Sequence, residues 1–289
     1  MDILTGLNRA MDYIEENICN DVDAESVARV TPYSAYHLQK IFGYLADISL
    51  AEYMRRRKMT LAALELQNSK IKVTDAAYKY GYDSLDSFSR AFSRFHGVTP
   101  TAAKAKGTLL RVYPQLFFQI SIKGGSTMNY QIMELEAFRV IGLKRRFYFD
   151  EERSPKGIPE FWTELRQNGK ISEILKFSDG KFEEAVGVCT NGNKEGLDYM
   201  IATTTALKQA PEGLEIFDFP KNTYAVFNFK GPLHQTMPTA EKMIFGEWMP
   251  SSGYDPVDGA DLEVYSKLPQ DSPDYEFWCY VPIKKRSKN

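Results

Sequence analysis

Two stretches of the chain carry the same spacing of apolar residues. The first is residues 34–45, SAYHLQKIFGYL, and the second is residues 84–95, SLDSFSRAFSRF. In both, apolar residues recur at positions i, i+3, i+4 and i+7, which places them on one face of an α-helix. They are Leu38, Ile41, Phe42 and Leu45 in the first stretch, and Phe88, Ala91, Phe92 and Phe95 in the second. The pattern predicts two matched amphipathic helices.

The residues around each predicted helix complete a larger motif. Ser34 and Ser84 stand at the helix starts, where a serine hydroxyl can satisfy a free backbone N–H. Upstream of each lies a shorter predicted helix with a small core residue, Ala28 or Ala77, followed by a turn. A short helix, a tight turn and a capped second helix are the parts of a helix-turn-helix. The sequence therefore predicts a tandem pair of these units.

The polar residues of the two matched helices are expected to project from the predicted core. They are Tyr36, Gln39, Lys40, Ser87, Arg90 and Arg94. Arg and Gln make the paired hydrogen bonds that distinguish guanine and adenine edges in the major groove. A connecting helix of about 18 residues from Leu50 would span about 27 Å, and two recognition helices about 34 Å apart would meet one side of B-DNA. The pattern favours a monomer on double-stranded DNA, with a plain solvated surface as the alternative.

Charged residues in and around this predicted interface bear on whether it can bind DNA. Asp86 lies among the projecting residues, where a carboxylate repels phosphate, so it either accepts from a cytosine amino group or caps its own helix. The basic run Arg55–Lys58 spreads around its helix, so we expect one or two side chains to touch phosphate and others to pair with the acidic first helix. Residues 29–111 hold fourteen basic and six acidic residues, although the whole chain has a net charge of −2. This local excess indicates an anionic partner, or else a solvated basic face.

After about residue 107 the pattern changes from helical to alternating. We predict a first domain at 1–107, a linker at 108–127 and a second domain at 128–289. The predicted strands are Tyr130–Leu135, Phe138–Phe149, Glu184–Thr190, Tyr199–Leu207, Leu214–Phe219, Asn222–Lys230, Asp261–Ser266 and Tyr275–Pro282, and the predicted helices are Ile158–Asn168 and Thr236–Met249. The order strand, strand, helix, strand, strand occurs twice. The fold class is therefore an all-α tandem helix-turn-helix domain followed by an α+β domain of two pseudo-repeats, an antiparallel sheet with helices.

One predicted strand combines charge with aromatic residues. Alternation along Asp261–Tyr265 places Asp261, Glu263 and Tyr265 on one face of the sheet. A carboxylate beside aromatic rings suits a cationic, apolar ligand, because the rings add cation–π attraction. The predicted effector-binding residues are Trp162, Trp248, Glu263, Tyr265 and Trp278. The alternatives are a strand with one solvated face, a protein-interaction surface, and a hydrolase with Glu263 as general base.

Composition and motifs exclude several classes of protein. The apolar fraction is 43%, and no apolar run approaches the ~20 residues that span a bilayer. The start of the chain lacks the pattern of a secretion signal, and Cys19, Cys189 and Cys279 lie far from any metal-ligand spacing. Nucleophile elbows, His-Glu-x-x-His motifs and phosphate loops are missing from the sequence. We expect a cytoplasmic protein that is not an enzyme, with no catalytic residue, metal, cofactor or membrane partner.

The first domain resembles the DNA-binding domain of the AraC/XylS family of transcription regulators. The resemblance lies in Ser34–Phe42, Tyr53–Met59 and Gly81–Pro100, whose last residues, His-Gly-Val-Thr-Pro, are its most specific part. It implies seven helices, a monomer docked into adjacent major grooves, and contact with RNA polymerase. The base-reading residues that it implies are Tyr36, Gln39, Lys40, Ser87 and Arg90. Asp86 departs from the uncharged residue common there, and Thr31-Pro32 departs from the usual glycine turn.

The second domain resembles the GyrI-like effector-binding domain, which also occurs in multidrug-sensing regulators. The matching residues are Phe161-Trp162, Trp248–Tyr254, Asp261–Tyr265 and Tyr280–Ile283. Together the two domains resemble the right-origin-binding type of regulator. The resemblance implies a small-molecule pocket between the two pseudo-repeats, with Glu263 as its acidic residue. A regulator with a ligand-independent second domain is the alternative, and a hydrolase fused to a DNA-binding domain is less favoured.

Overall fold

A computed structural model describes residues 3–119, 128–148, 157–193 and 196–286. The chain forms two compact units, Met1–Ile120 and Ser121–Asn289, and each is described by itself. Within these ranges, the structure contains no helix that is both long enough and apolar enough to cross a membrane.

The described part of the first unit is built from seven helices. They are α1 (Ile3–Asn17), α2 (Ala24–Ala28), α3 (Ala35–Ala46), α4 (Leu50–Asn68), α5 (Val73–Lys79), α6 (Leu85–His96) and α7 (Pro100–Ala103). The predicted tandem helix-turn-helix is confirmed: α2 and α3 form the first unit, α5 and α6 form the second, and α4 joins them. The helix α4 has 19 residues.

The matched helices begin where their serines can cap them. The hydroxyl of Ser34 accepts from the backbone N–H of His37, and that of Ser84 accepts from the N–H of Ser87. Each hydroxyl satisfies a donor that the helix itself leaves free. Phe42 of α3 and Phe88 of α6 are both fully buried, as the apolar spacing predicts. The sequence thus sets both the start and the buried face of each helix.

The described part of the predicted linker belongs to the first unit. Residues 108–119 contain neither helix nor strand, yet they hydrogen-bond to α1, α4 and α7. The remainder of the predicted linker, residues 120–127, lies outside the described residues. The first compact unit therefore extends beyond residue 107.

The second unit consists of antiparallel strands with helices on one face. Its elements are β1 (Asn129–Leu135), β2 (Phe138–Tyr148), α8 (Ile158–Gln167), α9 (Lys170–Leu175), β3 (Val186–Thr190), β4 (Gly196–Thr204), β5 (Glu215–Phe219), β6 (Asn222–Lys230), α10 (Leu233–Lys242), a π-helical segment (Met243–Trp248), α11 (Met249–Ser251), β7 (Tyr254–Pro256), β8 (Asp261–Tyr265) and β9 (Glu276–Lys285). The structure contains every predicted strand: β6 has the predicted bounds, the other strands have shifted ends, and Phe149 of one predicted strand lies outside the described residues. The sequence did not indicate α9 or β7. It predicted Thr236–Met249 as one helix, whereas the structure has α10 followed by the π-helical segment.

The sheet order reveals the two pseudo-repeats. The main path is β1-β6-β9-β8-β3-β4-β2-β5, with β7 paired to β9. The halves meet where β3 pairs with β8. Each half also gives its first strand to the other, because β1 pairs with β6 and β5 pairs with β2. The central pair β3–β8 is therefore flanked symmetrically by the two halves.

Strand register determines which residues share a face. Direct cross-strand partners lie on the same face of an antiparallel pair, and Glu263 is opposite Gly187 on β3 and Cys279 on β9. Cys279 is in turn opposite Phe227, whose ring packs against Trp248 of the π-helical segment at 4.9 Å. Helical side chains thus cover the face of the sheet that carries Glu263.

Candidate DNA interface and candidate effector site

The first recognition helix presents an aromatic and a basic side chain together. Tyr36 and Lys40 are both half-buried on α3. Lys40 Nζ lies 3.5 Å from the Tyr36 hydroxyl and 5.6 Å from the centre of its ring. Because residues i and i+4 are neighbours on a helix surface, the two side chains form one polar patch.

Gln39 does not project from α3, and the expectation that it does is corrected by the structure. Its side chain is 4% exposed. It folds back along its own helix, and its Nε2 donates to the carbonyl oxygen of Ala35 at 3.0 Å. This backbone acceptor lies one turn earlier, within reach of a glutamine amide. Of the three predicted α3 residues, Tyr36 and Lys40 therefore form the polar patch, and Gln39 lies outside it.

The second recognition helix presents its polar side chains to solvent. Arg90 and Arg94 are exposed on α6. Arg90 pairs with Asp86 at 2.9 Å, and the cap of α6 comes from Ser84. Asp86 therefore does not cap the helix; it occupies the first turn, where a carboxylate is favoured by the helix dipole. Both side chains of this pair remain exposed to solvent.

Ser87 takes part in the start of α6. Its hydroxyl donates to the carbonyl oxygen of Ser84 at 2.9 Å and accepts from the Ser84 hydroxyl at 3.0 Å. It is half-buried. The hydroxyl therefore supports the helix cap in this conformation.

The three arginines of the basic run on α4 are paired with carboxylates. Arg57 is 8% exposed and donates to both oxygens of Glu15 on α1, at 2.7 and 2.5 Å. Arg55 and Arg56 pair with Glu52 on their own helix. The expected pairing of this run with the acidic first helix is present at Arg57. Hydrogen bonding to Glu15 raises the pKa of the Arg57 side chain further.

In the second unit, Glu263 lies within a network of hydroxyl groups. Its Oε2 accepts from the hydroxyls of Tyr199 and Tyr265, each at 2.6 Å. The indole Nε1 of Trp162 donates to the Tyr199 hydroxyl at 3.0 Å, and the Trp162 and Tyr265 rings meet edge to face at 5.3 Å. Two O–H donors on one oxygen stabilise a negative carboxylate. Helix α8 thus joins a network whose acid lies on β8.

The tyrosines of this network are held in the neutral form. Burial, followed by the charge of Glu263, raises the pKa of Tyr199 well above its usual value. The same causes in the same order raise the pKa of Tyr265. Ionising either ring would place a second negative charge beside the carboxylate in a desolvated site. Both tyrosines therefore remain hydrogen-bond donors.

A glycine provides the space in which this network forms. A Cβ on Gly187 would lie 2.0 Å from the Tyr199 hydroxyl oxygen and 2.6 Å from Glu263 Oε2. Tyr199 is on β4 and Glu263 is on β8. The tyrosine side chain must therefore reach across the intervening strand β3. Gly187 is the β3 residue opposite Glu263. The missing side chain lets the tyrosine reach the carboxylate.

The predicted tryptophans occupy different places. Trp162 belongs to the network. Trp248 lies on the same face of the sheet, where its ring meets Phe227 and Tyr130. Trp278 is opposite Val264 and so lies on the other face from Glu263. This corrects the expectation that Trp278 lines the same site, and the reason is strand alternation along β9.

Sequence analysis missed Tyr199 and Gly187. Tyr199 lies inside a predicted strand, but nothing local in the sequence pairs it with a carboxylate on another strand 64 positions later. The isolated glycine in β3 was a usable signal, because a glycine inside a strand often marks the close approach of another group.

Comparison with known families identifies both units. A helix-turn-helix domain model matches residues 27–106. A model described as an integron-associated effector binding protein matches residues 131–283, which is more than half of the chain.

Individual proteins resemble the chain in the same two regions. It is 33% identical to the HTH-type transcriptional activator AarP of Providencia stuartii over 102 residues, which is 35% of this chain and 76% of AarP. It is 33% identical to the multiple antibiotic resistance protein MarA of Escherichia coli K12 over 94 residues, which is 32% of this chain and 74% of MarA. An integron cassette protein from the mobile metagenome of Vibrio cholerae aligns with a TM-score of 0.40 and 17% identity, over 54% of this chain and 95% of that protein.

Proposed function

Because the chain belongs to the AraC-type helix-turn-helix transcription regulators and carries a GyrI-like effector-binding domain, we propose that α3 and α6 read neighbouring major-groove segments of one DNA duplex. We propose further that the second unit senses a small cationic, amphipathic molecule at Glu263. RNA polymerase is the protein partner in this proposal, since relatives of the first unit are named as transcriptional activators.

The exposed arginines of α6 carry the proposal for DNA. Arg90 and Arg94 project from the helix into solvent, and α3 presents Tyr36 and Lys40 at the matching turn. Arginine binds guanine through two parallel hydrogen bonds, and lysine can donate to the same edge. The excess of basic residues between 29 and 111 adds sequence-independent attraction to phosphate. Arg90 and Lys40 are therefore the proposed principal base readers.

The hydrogen-bonded carboxylate of Glu263 carries the proposal for an effector. It is half-buried on the helix-covered face of the sheet, beside the rings of Trp162 and Tyr265. Reduced solvent screening strengthens the attraction between this charge and a cation, and aromatic faces contribute about 0.5–2 kcal/mol each. A neutral or anionic molecule would gain neither contribution.

Regulation requires one further condition. The ligand must bind more tightly to one of two conformations that differ in DNA affinity, because equal binding shifts no equilibrium. A cation at Glu263 would compete with or rearrange the two tyrosine donors, so the hydroxyl network is the proposed element that differs between the two conformations.

The proposal for DNA is tested on a duplex that the wild-type chain selects from a random pool. Lys40→Ala and Arg90→Ala should each weaken specific binding by about 1–3 kcal/mol while changing affinity for random DNA little. Hydroxyl-radical footprints should show the two losses in different segments, about one helical turn apart. Lys208→Ala, an exposed lysine of the second unit, is the matched control. Protection of a single segment by the wild type would refute tandem reading.

The proposal for the effector is tested with two probes of the same shape and opposite charge. Tetraphenylphosphonium should quench tryptophan fluorescence and raise the melting temperature by mass action, and tetraphenylborate should do neither. Glu263→Gln should weaken phosphonium binding at least tenfold. Equal binding of both probes would contradict a charge-selective site at Glu263, and binding of neither would favour the protein-interaction alternative. Ester turnover by the wild type that Glu263→Gln abolishes would instead support a hydrolase.

A further inference from the structure

The segment that follows α7 packs one set of its side chains against the helices of the first unit. We call residues 108–119 the strap. Half-buried residues recur every two or three positions among exposed ones, and they are Thr108, Leu110, Tyr113, Leu116 and Phe118. The neighbouring Phe117 is 75% exposed. One side of the strap therefore faces the helices although it forms no regular secondary structure.

The far end of the strap is held by α1 and touches α3. Asn8 of α1 binds the backbone of Phe118 twice: its Oδ1 accepts from the N–H at 2.8 Å, and its Nδ2 donates to the carbonyl at 2.9 Å. The Phe118 ring packs edge to face on Phe42 of α3 at 5.7 Å. Phe42 is fully buried, so the strap ring forms part of the packing behind the first recognition helix.

The middle of the strap is attached to a buried ion pair. Arg57 Nη1 donates to the carbonyl of Tyr113 at 2.6 Å, while the rest of its guanidinium binds Glu15. The Tyr53 hydroxyl accepts from the N–H of Leu116 at 3.3 Å and donates to Glu15 at 3.1 Å. These contacts use donors that burial makes costly to leave unsatisfied.

The near end of the strap is attached to α4 and α7, next to the second helix-turn-helix unit. Gln67 at the end of α4 donates to the carbonyl of Thr108 at 3.1 Å, and the Thr108 hydroxyl donates to the carbonyl of Ala102 on α7 at 2.9 Å. Leu110 packs at the edge of the apolar cluster that contains Phe88 and Phe92 of α6. The strap thus runs from the core behind α6 to the core behind α3.

The strap contacts the packing behind the two recognition helices in different ways. The residues behind α6 are enclosed by side chains of α4, α5 and α7, with the strap only at the edge. Behind α3, the ring of Phe42 meets Tyr53 at 5.8 Å and the strap ring Phe118. Among the described residues, losing Phe118 removes one of the two aromatic rings packed on Phe42.

From this geometry we infer that the strap is a positioning element for DNA recognition, in which Asn8 and Phe118 hold α3 in its reading orientation. The role of α3 in reading DNA comes from the proposed function, and the packing itself does not depend on it. The same segment leads along the chain toward the second unit. Loosening of the strap would therefore change reading by α3 and leave reading by α6 in place.

The inference is tested in the full chain with Phe118→Ala and Asn8→Ala, using Phe117→Ala as the matched control and Phe118→Leu as the conservative variant. Amide hydrogen exchange compares α3 with α6, and hydroxyl-radical footprints use the duplex selected by the wild type. We expect about tenfold faster exchange in α3 for both alanine variants, with α6 unchanged, which corresponds to about 1.4 kcal/mol of local opening free energy. Phe118→Leu should recover most of the protection.

The footprint should lose the segment assigned by Lys40→Ala and keep the segment assigned by Arg90→Ala. Equal acceleration of exchange in α3 and α6 would mean that the strap stabilises the whole unit without positioning α3, and it would overturn the inference. So would unchanged exchange in α3, or an equal effect of Phe117→Ala. If Lys40→Ala leaves both segments protected, reading by α3 fails as a proposed function, while the exchange experiment still decides the role of the strap.

Discussion

Asp86 and Glu263 are both paired carboxylates, but their partners and their surroundings differ. Asp86 lies 2.9 Å from Arg90 on α6, with side chains 76% and 75% exposed. Glu263 accepts two hydroxyls at 2.6 Å, and one of these comes from Tyr199, which is 1% exposed. An exposed ion pair contributes about 0–1 kcal/mol, whereas a buried polar group that loses its partner costs about 1–3 kcal/mol.

This difference separates recognition from stability. The Arg90 side chain can leave Asp86 for a base or a phosphate at little cost, because water already surrounds both groups. Loss of the Tyr199 hydroxyl, in contrast, would leave the buried indole N–H of Trp162 without this acceptor. Substitutions of Asp86 or Arg90 should therefore change DNA binding with little effect on stability, whereas substitutions around Glu263 should change the free energy of unfolding.

Gly187→Ala should have the largest effect. The new Cβ would occupy the position of the Tyr199 hydroxyl, so the network and strand β3 must both shift, at a cost of about 3 kcal/mol. Urea unfolding followed by tryptophan fluorescence measures it, because the three tryptophans lie in the second unit. Gly259→Ala is the control, since the atom nearest to its new Cβ would be Pro282 Cγ, at 3.3 Å. Equal stability of the two variants would mean that Tyr199 does not need the gap.

Removing a single hydroxyl should have an intermediate and unequal effect. Tyr199→Phe deprives Glu263 of a donor and Trp162 Nε1 of its acceptor, and should cost about 2 kcal/mol of unfolding free energy. Tyr265→Phe removes one donor to Glu263 and should cost about 1 kcal/mol. The same urea titration ranks the two variants. The reverse order would show that the Trp162 hydrogen bond contributes little.

The same network should make the free energy of unfolding fall at alkaline pH. The pKa values of Tyr199 and Tyr265 are raised in the folded chain, so their stabilisation is complete below about pH 10, the usual tyrosine value, and is lost as the pH rises further. Each tyrosine then lowers the unfolding free energy by up to about 1.4 kcal/mol per pH unit. The double variant Tyr199→Phe/Tyr265→Phe should show a shallower decline between pH 10 and 11. Identical slopes would contradict the buried placement of these hydroxyls.

Asp86→Ala should have the smallest effect on stability, below about 0.5 kcal/mol. It should nevertheless raise affinity for random DNA, because it removes a charge that phosphate repels. Binding measured at several salt concentrations checks both parts, and Asp75→Ala on α5 provides an exposed acidic control. A loss of preference at one base position would instead assign Asp86 to a cytosine contact.

Local patterns in the sequence were sufficient to predict most of the first unit. The serines at positions 34 and 84 and the apolar spacing after them determine the starts and the buried faces of α3 and α6, since both signals act within one or two helical turns. Burial of Gln39 was not predictable, because an outward position on a helical wheel does not reveal that the side chain folds back to a carbonyl. The packing of the strap depends on contacts more than a hundred residues apart, such as Asn8 with Phe118.

In the second unit, alternation correctly grouped Glu263 with Tyr265 on one strand. It could not place residues from different strands, because the order of strands in the sheet was unknown. Trp278 was therefore assigned to the wrong face relative to Glu263, and Tyr199 was overlooked. Both depend on strand pairing, which the pattern within a single strand does not determine.

The exchanged edge strands have a consequence for the covalent continuity of the second unit. The two halves are joined directly by three residue pairs between β3 and β8, but β1 adds seven with β6 and β5 adds five with β2. A break in the backbone between β4 and β5 would leave two polypeptides, each completing the sheet of the other. Fragment complementation, in which separately expressed pieces reassemble, should therefore succeed at that loop, and the peptide bonds there are dispensable for holding the two halves of the sheet together.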